Sequence, residues 1–279
     1  MLDSEYALLT GSADESLTEL WERVHAVSVP LEQIAYVNFG KQLRDLKKHP
    51  EDVVEVDSLD DVLAGYRPCY NGRDVTRFHV EWSGSACSDD RAHKRGGCWD
   101  PERQDRANKL LTRQIGKVPT FALDPRGFQC RNVMFMVNVK DGLDVDPWFL
   151  LGVLNSDLIR HLWLDRYYDQ RQTFPKIKGS YLKKLPVFDL ERADEAKQAA
   201  AARIAAQAQA LSELYASMRS AADPQREVLL RRRAAAAERA LNAQAYELYG
   251  LDSDDVQLVE GQADVEELLA MTLELADAG

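Results

Sequence analysis

"NKLLTRQIGKVPTFALDPRGFQCRNVMFMVNV", residues 108–139, decides how this chain is read. It divides into three apolar runs, "KLLTRQIG", "PTFALD" and "NVMFMVNV", each of strand length and bounded by glycine, proline or asparagine. In and beside these runs stand Arg113, Gln114, Lys117 and Arg126. Cations and an amide recurring along half-buried strands have two physical readings. One is structural: Arg113 pairs with Asp124 across a hairpin, a common cross-strand arrangement. The other turns these side chains outward, toward an anionic partner.

Working outward, 279 residues with 45% hydrophobic and 29% charged side chains are enough for a sizeable core and about two compact units. Four cysteines and no secretory leader lead us to expect reduced thiols in a cytoplasm. The most apolar stretch, "WFLLGVLNSDLIRHLWL", is interrupted by Asn155, Ser156, Asp157, Arg160 and His161, so no membrane span is expected. The net charge of -11 argues against a nucleic-acid binder until its distribution is considered. Residues 1–60 hold 5 Lys+Arg against 13 Asp+Glu, residues 61–190 hold 21 against 16, and residues 191–279 hold 9 against 17. A basic middle lies between acidic flanks. Charge alone favours the plainer reading of an uneven surface, but a basic segment also suits a phosphate backbone, whose counterions each Lys or Arg contact releases.

The pattern divides the chain further. "DESLTELWERVHAVS" carries Leu17, Leu20, Trp21 and Val24 at helical spacing. "EQIAYVNFG" predicts a strand closing at Gly40. Around Asn71 and Gly72 we expect a tight turn, then a strand alternating Val75, Arg77 and His79, then a long surface loop over residues 83–107. "DPWFLLGVLNSDLIRHLWLDRYY" predicts one helix with Asp146 as N-cap and Pro147 at N1. Asn155 and Ser156 read as packing residues of that helix. From residue 191 the composition shifts to Ala, Gln, Glu and Arg, strong helix formers. A break before Pro224 and a stop at Gly250 give an antiparallel helical hairpin, followed by an acidic helical tail from about Asp252.

Motifs for chemistry are sparse. The sequence contains no G-x-G, no phosphate-binding loop and no G-x-S-x-G elbow. "DPRG" at 124 and "DPWF" at 146 lack the second proline of an adenine-methylating loop and match ordinary turn and helix-start chemistry. "DEAK" at 194–197 places its acids where a helix dipole favours them. Cys69, Cys87, Cys98 and Cys130 form no close pair of the zinc type; Cys87, His93 and Cys98 share one Gly-rich stretch, where unremarkable thiols are the plainer reading than a metal.

Four stretches, in order, resemble the TaqI-like C-terminal specificity domain of type IIG restriction-modification enzymes and BREX-type DNA adenine methyltransferases. They are a helix followed by "IAYVNFG"; "YRPCYNGRDVTRFHVEW", like the family's G-R-D-I-x-R-Y segment; "KLLTRQIGKVPTFALDPRGF", like its K-I-L-x-R-x-I-G and A-x-x-D-x-x-G strands; and "LLGVLNSDLIRHLW" with "FPKIKGSYLKKLPV". "AYELYGLDSDDVQLVE" resembles the family's closing segment. The resemblance spans roughly residues 20 to 260. It implies an α+β fold: a mixed-sheet target-recognition domain over 1–190, then a long antiparallel helical hairpin and acidic tail over 191–279.

The resemblance further implies recognition of double-stranded DNA for an adenine-N6 methyltransferase or restriction-modification system. Family members usually carry the methyl-donor domain ahead of this one, whereas here Met1 stands just before it. We therefore expect no cofactor in this chain, with S-adenosylmethionine and catalysis in a methyltransferase subunit. A remnant of a split gene, or a protein-interaction module without DNA binding of its own, is the alternative. Expected DNA contacts are Tyr70, Asn71, Arg73, Arg77, Arg113, Gln114, Lys117, Arg126, Arg171, Lys176 and Lys178, with Arg and Gln suited to base edges and Lys176 and Lys178 to phosphates. Arg231, Arg232 and Arg233 on the hairpin are the expected partner-docking residues; the hairpin equally suits packing on its own domain.

Overall fold

A computed structural model describes residues 15–168 and 174–261. The first helix, α1, covers residues 15–26 and buries Leu20, Trp21 and Val24, the stripe its spacing predicts. Strand β1 (Ser28–Pro30), the short α2 (Leu31–Ile34) and β2 (Ala35–Phe39) follow. β2 is followed by Gly40, where a Cβ would lie 2.1 Å from the Arg131 carbonyl oxygen, so only glycine fits. Next come β3 (Val53–Glu55), β4 (Tyr66–Tyr70), β5 (Val75–Thr76), β6 (His79–Val80), β7 (Ser85–Ser88) and the single-turn α3 (Pro101–Gln104). The quoted stretch forms β8 (Lys109–Arg113), β9 (Phe121–Asp124), β10 (Gln129–Cys130) and β11 (Met134–Val139). Beyond it lie α4 (Pro147–Leu154), α5 (Asp157–Arg166), α6 (Gly179–Leu182), β12 (Pro186–Phe188), α7 (Glu195–Arg219), α8 (Pro224–Tyr249) and α9, residues 253–261. The class is α+β, as expected.

Two four-stranded sheets organise the middle. One is antiparallel in the order β2-β11-β8-β9; the other runs β10-β4-β7-β3, with β10 and β4 parallel. Successive side chains of a strand point to opposite faces, and here each face finds a different core. Leu110, Phe121, Leu123, Phe135 and Val137 join the helices' Phe149, Leu150, Ile204 and Leu211 in the larger core. Leu111, Ala122, Met134 and Met136 meet Tyr70 and Cys130 of the second sheet and Val75 of β5. A sheet buried on both faces explains why these strands read as nearly continuous apolar runs.

The β8–β9 register fixes one buried charge pair. Lys109 faces Asp124, and Thr112 faces Phe121. The structural alternative for Arg113, a pair with Asp124, does not form: Lys109 Nζ lies 2.5 Å from Asp124 Oδ2, both side chains fully buried, while Arg113 stands opposite Met134 and is exposed. Asp124 also accepts from the Tyr70 hydroxyl at 2.9 Å and from the backbone N–H groups of Arg126, Gly127 and Phe128 at 2.9, 3.2 and 3.0 Å. Burial, and then the adjacent Asp124 carboxylate, push the Tyr70 phenol far above its ordinary range.

Several local expectations are corrected too. Asn71 and Gly72 do not form a hairpin turn. Asn71 instead precedes a 3-10 turn (Gly72–Asp74), and its N–H donates to Asp74 Oδ2 at 2.8 Å. The strand expected through Arg77 is a tight β5–β6 hairpin, with Phe78 at a φ of 64°. The stretch read as a surface loop contains β7, buried at every position between β4 and β3; its letters "SACS" are too small and polar to signal a strand. The single helix from Asp146 is two. Asp146 caps α4 through Trp148 N–H at 2.8 Å, and Ser156 caps α5. Between them the Asn155 amide bonds both backbone groups of Phe121, at 2.9 Å each way, so Asn155 joins the helix break to β9.

The helical pair forms as expected. Pro224 stands at N1 of α8, and Gly250 closes it at a φ of 76°. α7 lays Ala200, Ala201, Ile204, Ala205, Ala208 and Leu211 against the core. Gly152 of α4 permits the close approach, since a Cβ there would lie 2.6 Å from Ile204 Cγ2. Asp124→Ala, which strands a buried ammonium, is expected to lower stability by about 3–5 kcal/mol in urea denaturation, whereas Arg113→Ala at the exposed end of β8 should shift it by no more than about 0.5 kcal/mol.

Candidate nucleic-acid interface

Beyond Arg113 the chain stays tied to its neighbours. Gln114 N donates to Val133 O at 2.8 Å, Gly116 N to Pro175 O at 3.0 Å and Ile177 N to Gln114 O at 2.7 Å, with Ile115 and Lys176 bridging. Past the 131–134 turn, Asn132 N donates to Lys41 O at 2.9 Å, Gln42 N to Gly96 O at 3.0 Å and Arg95 N to Gln42 O at 2.9 Å. Main-chain bonds thus join segments 174–178, 113–117, 130–134, 39–42 and 94–97 at one end of the antiparallel sheet. Fixed backbone of this kind holds side chains in place better than free loops do.

That end is basic. Arg113, Lys117, Lys176 and Lys178 are exposed on it, with Gln114 half-buried between them. Arg113, Lys176 and Lys178 make no ion pair with a carboxylate of the described residues. Lys178 Nζ sits 5.0 Å above the Tyr181 ring, and Lys117 Nζ 5.7 Å from that of Tyr168. Tyr181 stacks on Tyr167 at 5.1 Å, and burial raises the Tyr167 phenol. Trp163 Nε1 donates to the Lys117 carbonyl at 3.1 Å, which holds the 114–120 segment on α5.

Of the residues expected to touch DNA, the structure brings Arg113, Gln114, Lys117, Lys176 and Lys178 together. Asn71 stands behind this end: its Oδ1 accepts from Arg131 Nη1 at 2.7 Å, and its amide donates to Ser85 Oγ. Arg73 is exposed on the following turn, 3.9 Å from Glu55 and from Asp74. Arg126 follows the Asp124 end of β9, the opposite end from Arg113; four strand residues separate the two ends, about 13 Å. Arg171 lies outside the described residues. Two expectations are corrected. Tyr70 is buried between the sheets on Asp124 and presents nothing to a groove. Arg77 is held inward by Glu238 of α8, by the Asn155 carbonyl at 2.6 Å and by Asp157 at 3.8 Å, so it ties the β5–β6 hairpin to the helices.

Arg131 and Arg95 belong to the same basic end and were missed from sequence. Arg131 stands within residues 108–139, and Arg95 within the charge run "DDRAHKRGG", where the sequence predicts a surface loop. Lys41 is also there but fully buried, 2.5 Å from Asp89 and 4.6 Å from the Trp99 ring centre, and serves the fold. Arg44 is taken up by Asp52 at 2.5 Å and Glu51 at 3.0 Å; this guanidinium holds the Asp52 carboxyl below the usual carboxylate range.

His93 Nδ1 lies 2.9 Å from the same Asp52, and Cys87 lies buried beside Cys69, whose thiol hydrogen bond lowers its pKa. Among the described residues no group of three His, Cys, Asp or Glu side chains forms a metal cage. On α8, Arg231 pairs with Glu227 at 2.6 Å. Arg231, Arg232 and Arg233 are consecutive, so they project about 100° apart and present no single docking face. Among the described residues no helix is long and apolar enough to cross a membrane.

Residues 67–187, which hold all of this end except the 39–42 segment, match the family model of the TaqI-like C-terminal specificity domain. Three solved structures are similar to the chain. The type I restriction-modification S subunit from M. genitalium aligns at 18% identity over 69% of this chain and 41% of that one, with a TM-score of 0.42. The HsdS subunit from Thermoanaerobacter tengcongensis aligns at 12% over 89% and 54%, TM-score 0.40. The type IIG restriction endonuclease BpuSI aligns at 10% over 86% and 33%, TM-score 0.45. The chain spans about half the length of these structures or less. A comparison with curated proteins found no match.

Arg77→Ala, which removes the guanidinium from Glu238 and from the Asn155 carbonyl, is expected to cost about 1–3 kcal/mol in thermal or urea unfolding. It should leave the salt dependence of any duplex binding unchanged, since its guanidinium faces the helices.

Proposed function

We propose that this chain recognises double-stranded DNA by sequence, as the specificity part of an adenine-N6 DNA methyltransferase or restriction-modification system. Catalysis and S-adenosylmethionine reside in a partner chain. The observation that carries the reading is the alignment of Arg113, Gln114, Lys176 and Lys178 on one main-chain-bonded end of a sheet, within the segment that matches a specificity domain.

The roles follow from chemistry. Lysine is a point charge on a flexible stem, so Lys176 and Lys178 hold phosphates and set position along the duplex. Arg113 and Gln114 have side chains able to form paired hydrogen bonds with guanine and adenine edges. Arg131, braced by Asn71, and Arg95 are further cations on the same end. The acidic flanks oppose a polyanion, which lowers the affinity of the lone chain, and a partner's contacts add to it.

Fluorescence anisotropy with duplexes selected from a random pool tests the assignment. Lys176→Ala and Lys178→Ala are expected to weaken binding to all duplexes alike and to flatten the salt dependence by roughly one unit of slope each. Arg113→Ala and Gln114→Ala should instead cost about 1–3 kcal/mol on the selected site and relax one position of it. Wild-type behaviour of all four variants at low and moderate salt would remove this surface from consideration.

A further inference from the structure

Phe174 opens the segment that carries Lys176 and Lys178. Its side chain is 73% exposed, more than that of any other large apolar residue described. Its backbone is left-handed, with a φ of 54°, a conformation an aromatic L-residue rarely adopts. The chain just after it is firmly held: Pro175 O accepts from Gly116 N at 3.0 Å, Ile177 N donates to Gln114 O at 2.7 Å, and the Ile177 side chain is buried. Two further exposed apolar residues, Ile115 and Val133, stand on the bonded segments next to it. Around them are Arg113, Lys176 and Lys178.

An exposed ring costs solvation, and a strained backbone persists only where its surroundings impose it. A ring held out on a braced stub among free cations matches a ligand with an anionic outside and an apolar, stackable inside. We propose that Phe174 is a wedge that enters the base stack of the bound duplex while the neighbouring cations hold the phosphates. The proposal rests on the reading of this surface as a DNA interface. Apolar side chains inserted between base steps partly unstack them and bend the duplex, so steps that are already unstacked should accept the ring with less work. Flexible pyrimidine–purine steps come next.

The test compares a fully paired 25-base-pair duplex with the same duplex carrying one abasic position, using the full chain. Wild type is expected to bind the abasic duplex on the order of tenfold more tightly. Phe174→Ala should bring that ratio close to one while binding the paired duplex within a few-fold of wild type. Phe174→Gly should lose the preference too, yet unfold at the same or a higher temperature, because glycine takes this backbone conformation without strain. Phe174→Trp should keep the preference. Lys176→Ala should weaken both duplexes and leave the ratio intact, which separates wedge from charge. An equal preference in wild type, Phe174→Ala and Phe174→Gly, or none in wild type, overturns the wedge alone. Failure of wild type to bind the paired duplex in a salt-dependent way overturns the DNA reading, and the wedge with it.

Discussion

The buried Asp124 carboxylate is the constraint on which the rest of the arrangement depends. It faces Lys109 across the β8–β9 hairpin, takes the Tyr70 hydroxyl from the second sheet, and closes the 125–128 turn through three backbone N–H groups. A buried charge is tolerable only when paired and hydrogen-bonded, and here the donors come from β8, from β4 and from the turn itself. Each of those elements must be in place for any of them to be satisfied. Because strand side chains alternate with a period of two, a slip of one residue would turn Lys109 to the wrong face and carry Arg113 and Gln114 with it. The pair at one end of β8 thus fixes what the other end displays.

The charge distribution has a matching structural logic. The acidic C-terminal flank is not a uniform repulsive screen. Glu238 holds Arg77, and Asp255 holds Arg23 of α1. Carboxylates of the basic middle likewise neutralise cations of the scaffold, as Asp89 does Lys41 and Asp124 does Lys109. Among the described residues, Arg113, Lys176 and Lys178 keep no carboxylate partner and stand together where the sheet ends. A net charge summed over the chain, or even over residues 61–190, cannot show this, because it counts paired and unpaired cations alike.

Much of the architecture was legible in the sequence where periodicity is strong or punctuation sharp: α1, β2 with its glycine, β8, β9, β11, and the α7–α8 pair between Pro224 and Gly250. What failed had weak letters. "SACS" forms a fully buried strand because small side chains suit the space between β4 and β3, and nothing local announces it. Asn155 and Ser156 break a helix because an amide and a hydroxyl find backbone partners in β9 and α5, which only the folded chain supplies. The candidate site was half legible. Residue type singled out Arg113, Gln114, Lys176 and Lys178, but it could not separate them from Arg77 and Tyr70, which carry the same chemistry and face inward. Arg131 and Arg95 were missed because their neighbours on the surface come from segments up to 90 residues away.

The two parts of the resemblance motifs therefore do different physical work. In "KLLTRQIG" and "FALDPRGF" the first lysine and the aspartate are internal, and in "NGRD" the aspartate is internal too, satisfying the Asn71 N–H. These residues define the backbone path. Arg113 and Arg73 sit at positions that path exposes, with Gln114 half-buried beside Arg113. A scaffold whose buried charges fix register, and whose exposed positions are held by that register, can change what it contacts without changing how it folds. Substitution at the exposed positions is nearly free of structural cost, while substitution at the buried ones is not. That separation is the physical requirement for any surface that must be rigid enough to discriminate between closely similar ligands and still be open to change in which ligand it selects.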